Sequence, residues 1–321
     1  MSGRPEDHVP RRLWTRRRVL CTAVGTLASG TIGAIGTGAY AWRIEPHWVQ
    51  VTRRDLPIVG LPRAMDGAQL VQLSDLHIGP IVDSSYLARA LSLVNGLRPD
   101  MLVITGDIVH RGASPAVAEV EALLGTLQHG RYGAYAILGN HDYGRDWADQ
   151  RVAGQVVEAM EAAGLTVLRN EMVNVHGVRL VGLDDLWGPN FRPARVMSVY
   201  ERPDPVLTLC HNPDAADTTG LSGCRGWTLC GHTHGGQCRF PFIGAPILPV
   251  QNKSYVEGVI QRDDDRWLYI NRGVGYLRRV RFFVRPEITC FTLHRADSPQ
   301  SIARAAARVH ALHGSHVVRF G

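Results

Sequence analysis

Five short clusters along the chain carry side chains that hold metal ions and move protons: Asp75-Leu76-His77, Gly106-Asp107, Gly139-Asn140-His141-Asp142, His211-Asn212 and Gly231-His232-Thr233-His234. Singly they have bland readings. A D-x-H is a turn beside a surface histidine, a G-D is a turn and no more, and His211 alone is a satisfied structural histidine. GNHD and GHTH weigh more, because buried imidazoles so close together seldom serve packing. The ordered set is the stronger signal, since each member closes an apolar run that reads as a strand. Imidazole, carboxylate and amide oxygen, with no thiolate among them, suit Mn, Fe, Zn or Ni and not calcium.

The elements that would position these clusters follow from apolar runs and turn residues. Strands are expected at Leu70–Leu73, Met101–Thr105, Tyr132–Leu138, Thr166–Leu168, Val178–Leu183, Val206–Cys210, Trp227–Cys230, Trp267–Asn271 and Ile288–Leu293. Helices are expected over Ser84–Leu97 with Asp83 or Ser84 as cap, from Ser114 with Pro115 at the first position, and near Arg151–Ala163. Asn174-Val175-His176-Gly177 reads as a turn between two strands. A βαβα half followed by a strand-rich half implies an α/β sandwich with more than one sheet. The polar clusters then sit at carboxyl ends of strands, where open α/β sheets place their ligands.

The order D-x-H, G-D, G-N-H-D, H, G-H-x-H resembles that of the calcineurin-like metallophosphoesterase superfamily, over about Val49 to Leu293. Ser74-Asp75-Leu76-His77, His232-Thr233-His234-Gly235-Gly236-Gln237 and Arg272-Gly273-Val274-Gly275 followed by Arg285-Pro286-Glu287 look like its YkuE-like, twin-arginine-exported bacterial branch. The resemblance implies a four-layer α/β/β/α sandwich of two mixed sheets with a dinuclear centre. It implies that Asp75, His77 and His234 hold the first metal, that Asn140, His211 and His232 hold the second, and that Asp107 bridges them. His141 would face the substrate, with Asp142 as the partner that orients its ring. Two divalent transition ions, manganese favoured, lie about 3.5–4 Å apart in such centres and bring the pKa of a shared water toward neutrality. Neutral Asn140 adds no negative charge, so the pair stays positive toward a phosphate ester. One position departs from the purple acid phosphatases: His110 stands where they carry an iron-binding tyrosine. A tyrosinate–iron site is therefore not expected, and His110 reads first as a solvent-exposed loop residue, the alternative being a histidine that approaches the metals or substrate.

The charge balance bears on partners. The chain carries a formal +6, yet residues 42–294 hold 25 basic and 26 acidic side chains, so the excess comes from the two ends. Phosphate neutralisation needs a basic stripe, and the body has one local cluster, Arg278, Arg279, Arg281 and Arg285, which reads as a solvated strand face. No nucleic-acid partner is expected. Thr15-Arg16-Arg17-Arg18-Val19-Leu20 precedes an uncharged, mildly apolar stretch that ends in Ala39-Tyr40-Ala41, a cleavage pattern. It resembles a twin-arginine signal read by the export machinery, and the alternative is a membrane anchor over residues 19–42. The expected division is residues 1–41 as signal or anchor, 42–294 as catalytic domain and 295–321 as a basic extension, a weak amphipathic helix or tail. Cys210, Cys224, Cys230, Cys238 and Cys290 have neither the number nor the spacing of a disulfide framework.

Other candidates carry less. Arg111 and Arg145 read equally as phosphate clamps or surface residues. Asp184-Asp185 reads as a loop cap before a site contact, and Trp147, Trp187 and Tyr276 as core or rim packing before the lining of a substrate cleft. Gly235-Gly236 would let backbone approach the metals. The expected activity is metal-dependent hydrolysis of a phosphate ester in the periplasm or another extracytoplasmic space, preferring diesters or pyrophosphates of membrane-associated metabolites. The alternatives are a broad phosphomonoesterase and a non-catalytic interaction module on the same fold.

Overall fold

The computed structural model describes residues 16–111, 114–201, 204–263, 265–299 and 315–319. The chain divides into two compact units, Met1–Tyr40 and Ala41–Gly321. In the first, helix α1 runs over Arg16–Ala39. Gly and Thr dilute its apolar residues, and no helix among the described residues is long and apolar enough to cross a membrane.

The second unit begins with β1 (Trp48–Val59) and β2 (Gln69–Leu73), followed by α2 (Ser84–Leu97), β3 (Met101–Thr105), α3 (Ser114–Leu124), β4 (Ala134–Ile137), α4 (Gln150–Ala162) and β5 (Thr166–Val167). Its later half is strand-rich: β6 (Glu171–Val175), β7 (Val178–Gly182), β8 (Val206–Leu209), β9 (Gly226–Cys230), β10 (Gly258–Asp263), β11 (Arg266–Ile270), β12 (Glu287–Ala296) and β13 (Ser315–Arg319).

Two mixed sheets result. The first has the order β13-β1-β12-β2-β3-β4-β5, the second β10-β11-β9-β8-β7-β6. In the first, β2 to β5 run parallel through three successive β-α-β units, and β12 joins them antiparallel to β2 and parallel to β1. Strand β3 is buried along its whole length. It lies under helices on one face and the second sheet on the other, which is why its sequence is a continuous apolar run instead of an alternation.

Between the sheets, Leu56, Leu70, Val103 and Phe291 of the first meet Leu180, Leu207, Leu229 and Trp267 of the second. Outside the first sheet, α2, α3 and α4 bury Leu87, Leu91, Val120, Val152 and Val156 against Val71 and Ile104. Each fully buried side chain of this kind is worth about 1.5–3 kcal/mol. The outer face of the second sheet, with Val181, Leu183 and Leu268, is covered by Val199, Tyr200 and Leu221. Those residues come from short 3₁₀ turns, Met197–Glu201 and Thr219–Leu221, so the fourth layer is built of turns.

Helix ends carry local chemistry. The Asp83 carboxylate accepts from Tyr86 N–H at 3.0 Å and starts α2, and Asp149 accepts from Arg151 and Val152 N–H to start α4. The β6–β7 hairpin turns at His176 and Gly177, with Asn174 Oδ1 accepting from Gly177 N–H at 2.7 Å.

Two expectations change. The expected basic tail contains β13, which pairs antiparallel with β1 over 315–319 and closes part of that strand's open edge. The amphipathic helix expected there falls mostly on residues 300–314, outside the described residues. The arginine cluster is not a solvated strand face either. Its residues lie outside the strands, and Arg281 is fully buried, donating to the carbonyls of Arg272 at 2.9 Å and Gly275 at 2.6 Å.

Candidate metal centre

The loops that close β2, β3, β4, β8 and β9 meet where the two sheets present their carboxyl ends. The approach is close enough to exclude side chains at certain positions. A Cβ on Gly139 would stand 2.2 Å from Asp107 Oδ1, and one on Gly231 would stand 1.9 Å from Ser74 Oγ. This explains the glycine that leads both G-N-H-D and G-H-x-H. Asp75, His77, Asp107, His232 and His234 all take left-handed backbone conformations, with φ of 52°, 50°, 52°, 71° and 50°. Such conformations cost of order 1–3 kcal/mol each at non-glycine residues and persist only where the surroundings over-determine them.

Two sets of donors converge, Asp75 with His77 and His234, and Asp107 with His211 and His232; within each set the ligand atoms lie within 4.8 Å of one another. In the first, His77 Nε2 faces His234 Nε2 at 3.0 Å, and His234 Nε2 lies 3.3 Å from Asp75 Oδ1. In the second, His232 Nδ1 lies 3.2 Å from His211 Nε2, which is 3.3 Å from Asp107 Oδ2. The same Oδ2 atom is 3.6 Å from His77 Nε2, so one carboxylate oxygen reaches both sets. Its partner Oδ1 accepts from His141 N–H at 2.9 Å, which fixes the direction in which Oδ2 points.

The outer faces of two rings are tied to backbone. His211 Nδ1 lies 2.7 Å from the Thr105 carbonyl, and His232 Nε2 lies 2.8 Å from that of Pro249. Each carbonyl can only accept, so that nitrogen carries a proton, and the inward nitrogen of His232 is left bare. At His211 burial opposes a charge, but the carboxylates of Asp107, Asp75 and Asp185 together hold its pKa well above the usual imidazole value, so a cation must displace its inward proton. Asn140 is buried at 1% exposure, and its Oδ1 has no hydrogen-bond partner, nor has His77 Nδ1. Imidazole nitrogens and carboxylate oxygens converging in one buried space fit divalent cations, and Asn140 leaves a buried amide oxygen unpartnered.

The electrostatics agree for three of the four histidines in these two sets. Burial pushes His232 down to about 3 and holds His77 and His234 well below the usual imidazole value, so these rings are neutral, as ligands must be. Burial also raises Asp75 to about 7, with Asp107 adding to the effect. Asp107 goes the other way. Burial opposes its charge, but His211 and His141 more than offset it and hold its carboxyl well below the ordinary range.

His141 is nearly buried, edge-on to His77 with ring centroids 4.9 Å apart, and its Nδ1 has no partner. The expected support from Asp142 is not there. Asp142 Oδ1 accepts from Val109 N–H at 2.9 Å and Oδ2 from Gly139 N–H at 2.8 Å, so neither oxygen bonds the His141 ring. His110 also departs from expectation. It is half-buried, stacks on His141 at 5.6 Å, and joins His77 and His141 as a third group of converging donors.

Trp187 meets His232 edge-on at 4.5 Å and stacks on Trp147 at 5.2 Å, making an aromatic wall beside the donors. Tyr276, in contrast, is buried away from them beside His47. Asp185 caps its loop by accepting from Trp187 N–H at 2.8 Å. Burial lowers the pKa of His110 and His141, and the charge of exposed Arg111 adds to the effect, while Arg145 is simply exposed. Gly235 and Gly236 lie against Val284 and Ala245, so their tight fit serves packing and not approach to the donors.

A family model described as calcineurin-like phosphoesterase matches residues 68–236. The uncharacterized metallophosphoesterase YkuE of Bacillus subtilis is 34% identical over 297 residues, covering 87% of this chain and 97% of that protein. Phosphodiesterase YaeI of Escherichia coli is 32% identical, covering 87% of this chain and 99% of its own length. UDP-2,3-diacylglucosamine pyrophosphatase LpxG of Chlamydia muridarum is 26% identical over 78% of this chain and 91% of its own.

Proposed function

The chain belongs to the calcineurin-like phosphoesterase family and is a phosphoric ester hydrolase, and from that premise we propose that it uses two divalent ions to cleave phosphodiester or pyrophosphate bonds of envelope-associated substrates. The observation that carries the dinuclear reading is Asp107 Oδ2, within 3.6 Å of His77 Nε2 and 3.3 Å of His211 Nε2. Asp75, His77 and His234 would hold one ion, Asn140, His211 and His232 the other, and Asp107 both. Bound there, the ions supply Lewis acidity and a water of lowered pKa.

The residues of the chain do the rest. The His141 main chain holds Asp107 in its bridging direction while its ring faces the substrate. Trp147 and Trp187 wall the site against water on the side of His232. The preference for diesters and pyrophosphates is supported by the names of two relatives, the phosphodiesterase YaeI and the pyrophosphatase LpxG. Export by the twin-arginine route, with residues 1–41 as signal or anchor and 42–294 as the catalytic part, belongs to the same reading, as does manganese as the resident ion.

The test is a metal titration of demetallated protein followed by activity. Two ions should bind per chain, and hydrolysis of bis-nitrophenyl phosphate should return with Mn²⁺. Asp107→Asn should weaken both binding events. One ion per chain, or an Asp107→Asn protein with normal stoichiometry and rate, overturns the dinuclear reading. Turnover of nitrophenyl phosphate alone would favour a monoesterase.

A further inference from the structure

Large apolar side chains are unevenly spread over the second unit. Six of its nine exposed ones among the described residues, Trp42, Phe240, Phe242, Ile243, Ile247 and Phe283, come from three short segments. Phe242 is wholly exposed, Ile247 is 78% exposed and Phe283 64%. Hydrogen bonds tie the segments into one surface. Arg239 N–H donates to Phe282 O at 2.8 Å and Phe282 N–H to Gln237 O at 2.9 Å, while Arg281 N–H reaches Ala41 O at 2.9 Å. The rings of Phe240, Phe282 and Phe283 follow one another at 5.6 and 4.5 Å.

The charge on this surface has one sign. Residues 235–256, 273–286 and 40–44 contain no Asp or Glu. Arg43, Arg278, Arg279 and Arg285 flank the apolar residues, and none of them pairs with a carboxylate among the described residues. Arg43 and Arg279 lie over the Trp42 ring at 5.4 and 5.6 Å, and Arg285 over Trp48 at 3.9 Å. The bordering acids are already engaged: Glu45 is buried and accepts from Val284 N–H, and Glu257 is paired with Arg239. Protruding aromatic and branched side chains inside an arginine rim, with Trp at the boundary, match the chemistry of an anionic membrane interface. A protein partner of mixed charge would leave these arginines without complement.

The surface also borders the metal centre. The loop bearing Phe240 to Ile247 leaves directly after His234-Gly235-Gly236 and returns at Pro249, whose carbonyl lies 2.8 Å from His232 Nε2. We propose that this face docks on an anionic lipid surface, so that the centre meets phosphate esters whose tails stay in that surface. The docking stands on the surface alone; the substrate class rests on the hydrolase reading above.

The experiment uses full-length protein with phosphatidylcholine vesicles, with and without phosphatidylglycerol. Sedimentation should show stronger binding to the anionic vesicles, weakening as salt shortens the screening length below about 10 Å. Hydrogen exchange should show protection over residues 238–249 and 278–285. The triple variant Phe242→Ser, Ile247→Ser, Phe283→Ser should lose about tenfold or more in binding while keeping its rate on a soluble nitrophenyl ester. Arg43→Gln with Arg278→Gln should lose binding only to anionic vesicles, and serves if the triple variant folds poorly. Protection confined to residues 16–39, equal binding to uncharged vesicles, or vesicle-free dimerisation abolished by the triple variant overturns the docking. Docking without hydrolysis of any ester would leave this face assigned and remove the hydrolase reading.

Discussion

Asp142 follows His141 in the chain but turns its carboxylate away from that ring, accepting from Val109 N–H at 2.9 Å and Gly139 N–H at 2.8 Å. The two amides belong to the loops that carry Asp107 and Asn140. The carboxylate therefore clamps two donor-bearing loops together.

Asp142→Ala should accordingly act on metal affinity and not on proton transfer. Loss of such outer support typically costs about 10–100-fold in affinity. Metal titration of the variant should show that loss, while the dependence of rate on leaving-group basicity at saturating metal stays as in the parent. Normal affinity with a steeper leaving-group dependence would mean that Asp142 orients His141 after all.

His141→Ala separates binding from chemistry in the opposite sense. Its ring lies beside His77, and its main-chain N–H, which holds Asp107, survives the substitution. Metal content should stay near that of the parent while kcat falls about 10²–10⁴-fold, the range for general acid help. An alkyl ester should suffer more than a nitrophenyl ester, whose leaving group needs little protonation. Loss of one ion from the variant would make His141 a ligand.

Glu287 predicts an acid limb in stability. It is buried at 3% exposure, accepts from Tyr269 OH at 2.9 Å, and pairs with Arg272 Nε at 3.2 Å. Burial alone would raise its pKa, but the Arg272 guanidinium together with hydrogen bonds from Thr52, the Arg272 N–H and Tyr269 outweighs it and holds the carboxyl below its ordinary value. The contribution is thus present above the ordinary carboxylate range and lost as pH falls through the depressed value. Glu287→Gln should cost about 3–5 kcal/mol at neutral pH, as for a broken buried pair. In denaturant titrations the gap to the parent should shrink on going from neutral to strongly acidic buffer. A gap independent of pH would show that the charge of Glu287 is not what matters.

Export is tested at the start of the chain. Replacing Arg16, Arg17 and Arg18 with lysine keeps the charge but removes the pair that the twin-arginine receptor reads. Fractionation should find the variant retained on the cytoplasmic side. Unchanged export would point to a general secretory signal or an anchor.

Much of the architecture was legible because it is written in contiguous residues. Apolar runs ended by a polar cluster marked β2, β3, β4, β8 and β9, with a glycine leading the cluster after β3, β4 and β9. Those signals are local, since a buried parallel strand needs an apolar run and its closing loop needs glycine wherever another backbone passes. The strands that escaped notice lack that local mark. β1 contains Arg53-Arg54-Asp55 and Pro57, and it is a strand because β12 pairs with it along ten residues. β13 likewise exists through its pairing with β1.

Tertiary structure alone decided the rest, since it depends on which distant groups meet. Arg281 shares its sequence neighbourhood with exposed Arg278, yet it is buried because four carbonyls of residues 272–284 converge on its guanidinium. His110 is half withdrawn from solvent because His77 and His141 pack beside it. The partners of Asp142, the two-sided reach of Asp107 Oδ2 and the union of three acid-free segments into one apolar face are likewise contacts across tens to hundreds of residues. Spacing along a chain specifies which side chains leave a strand end, but the direction of each polar atom is set by the nearest satisfied hydrogen bond, and those bonds form only once the sheets have packed.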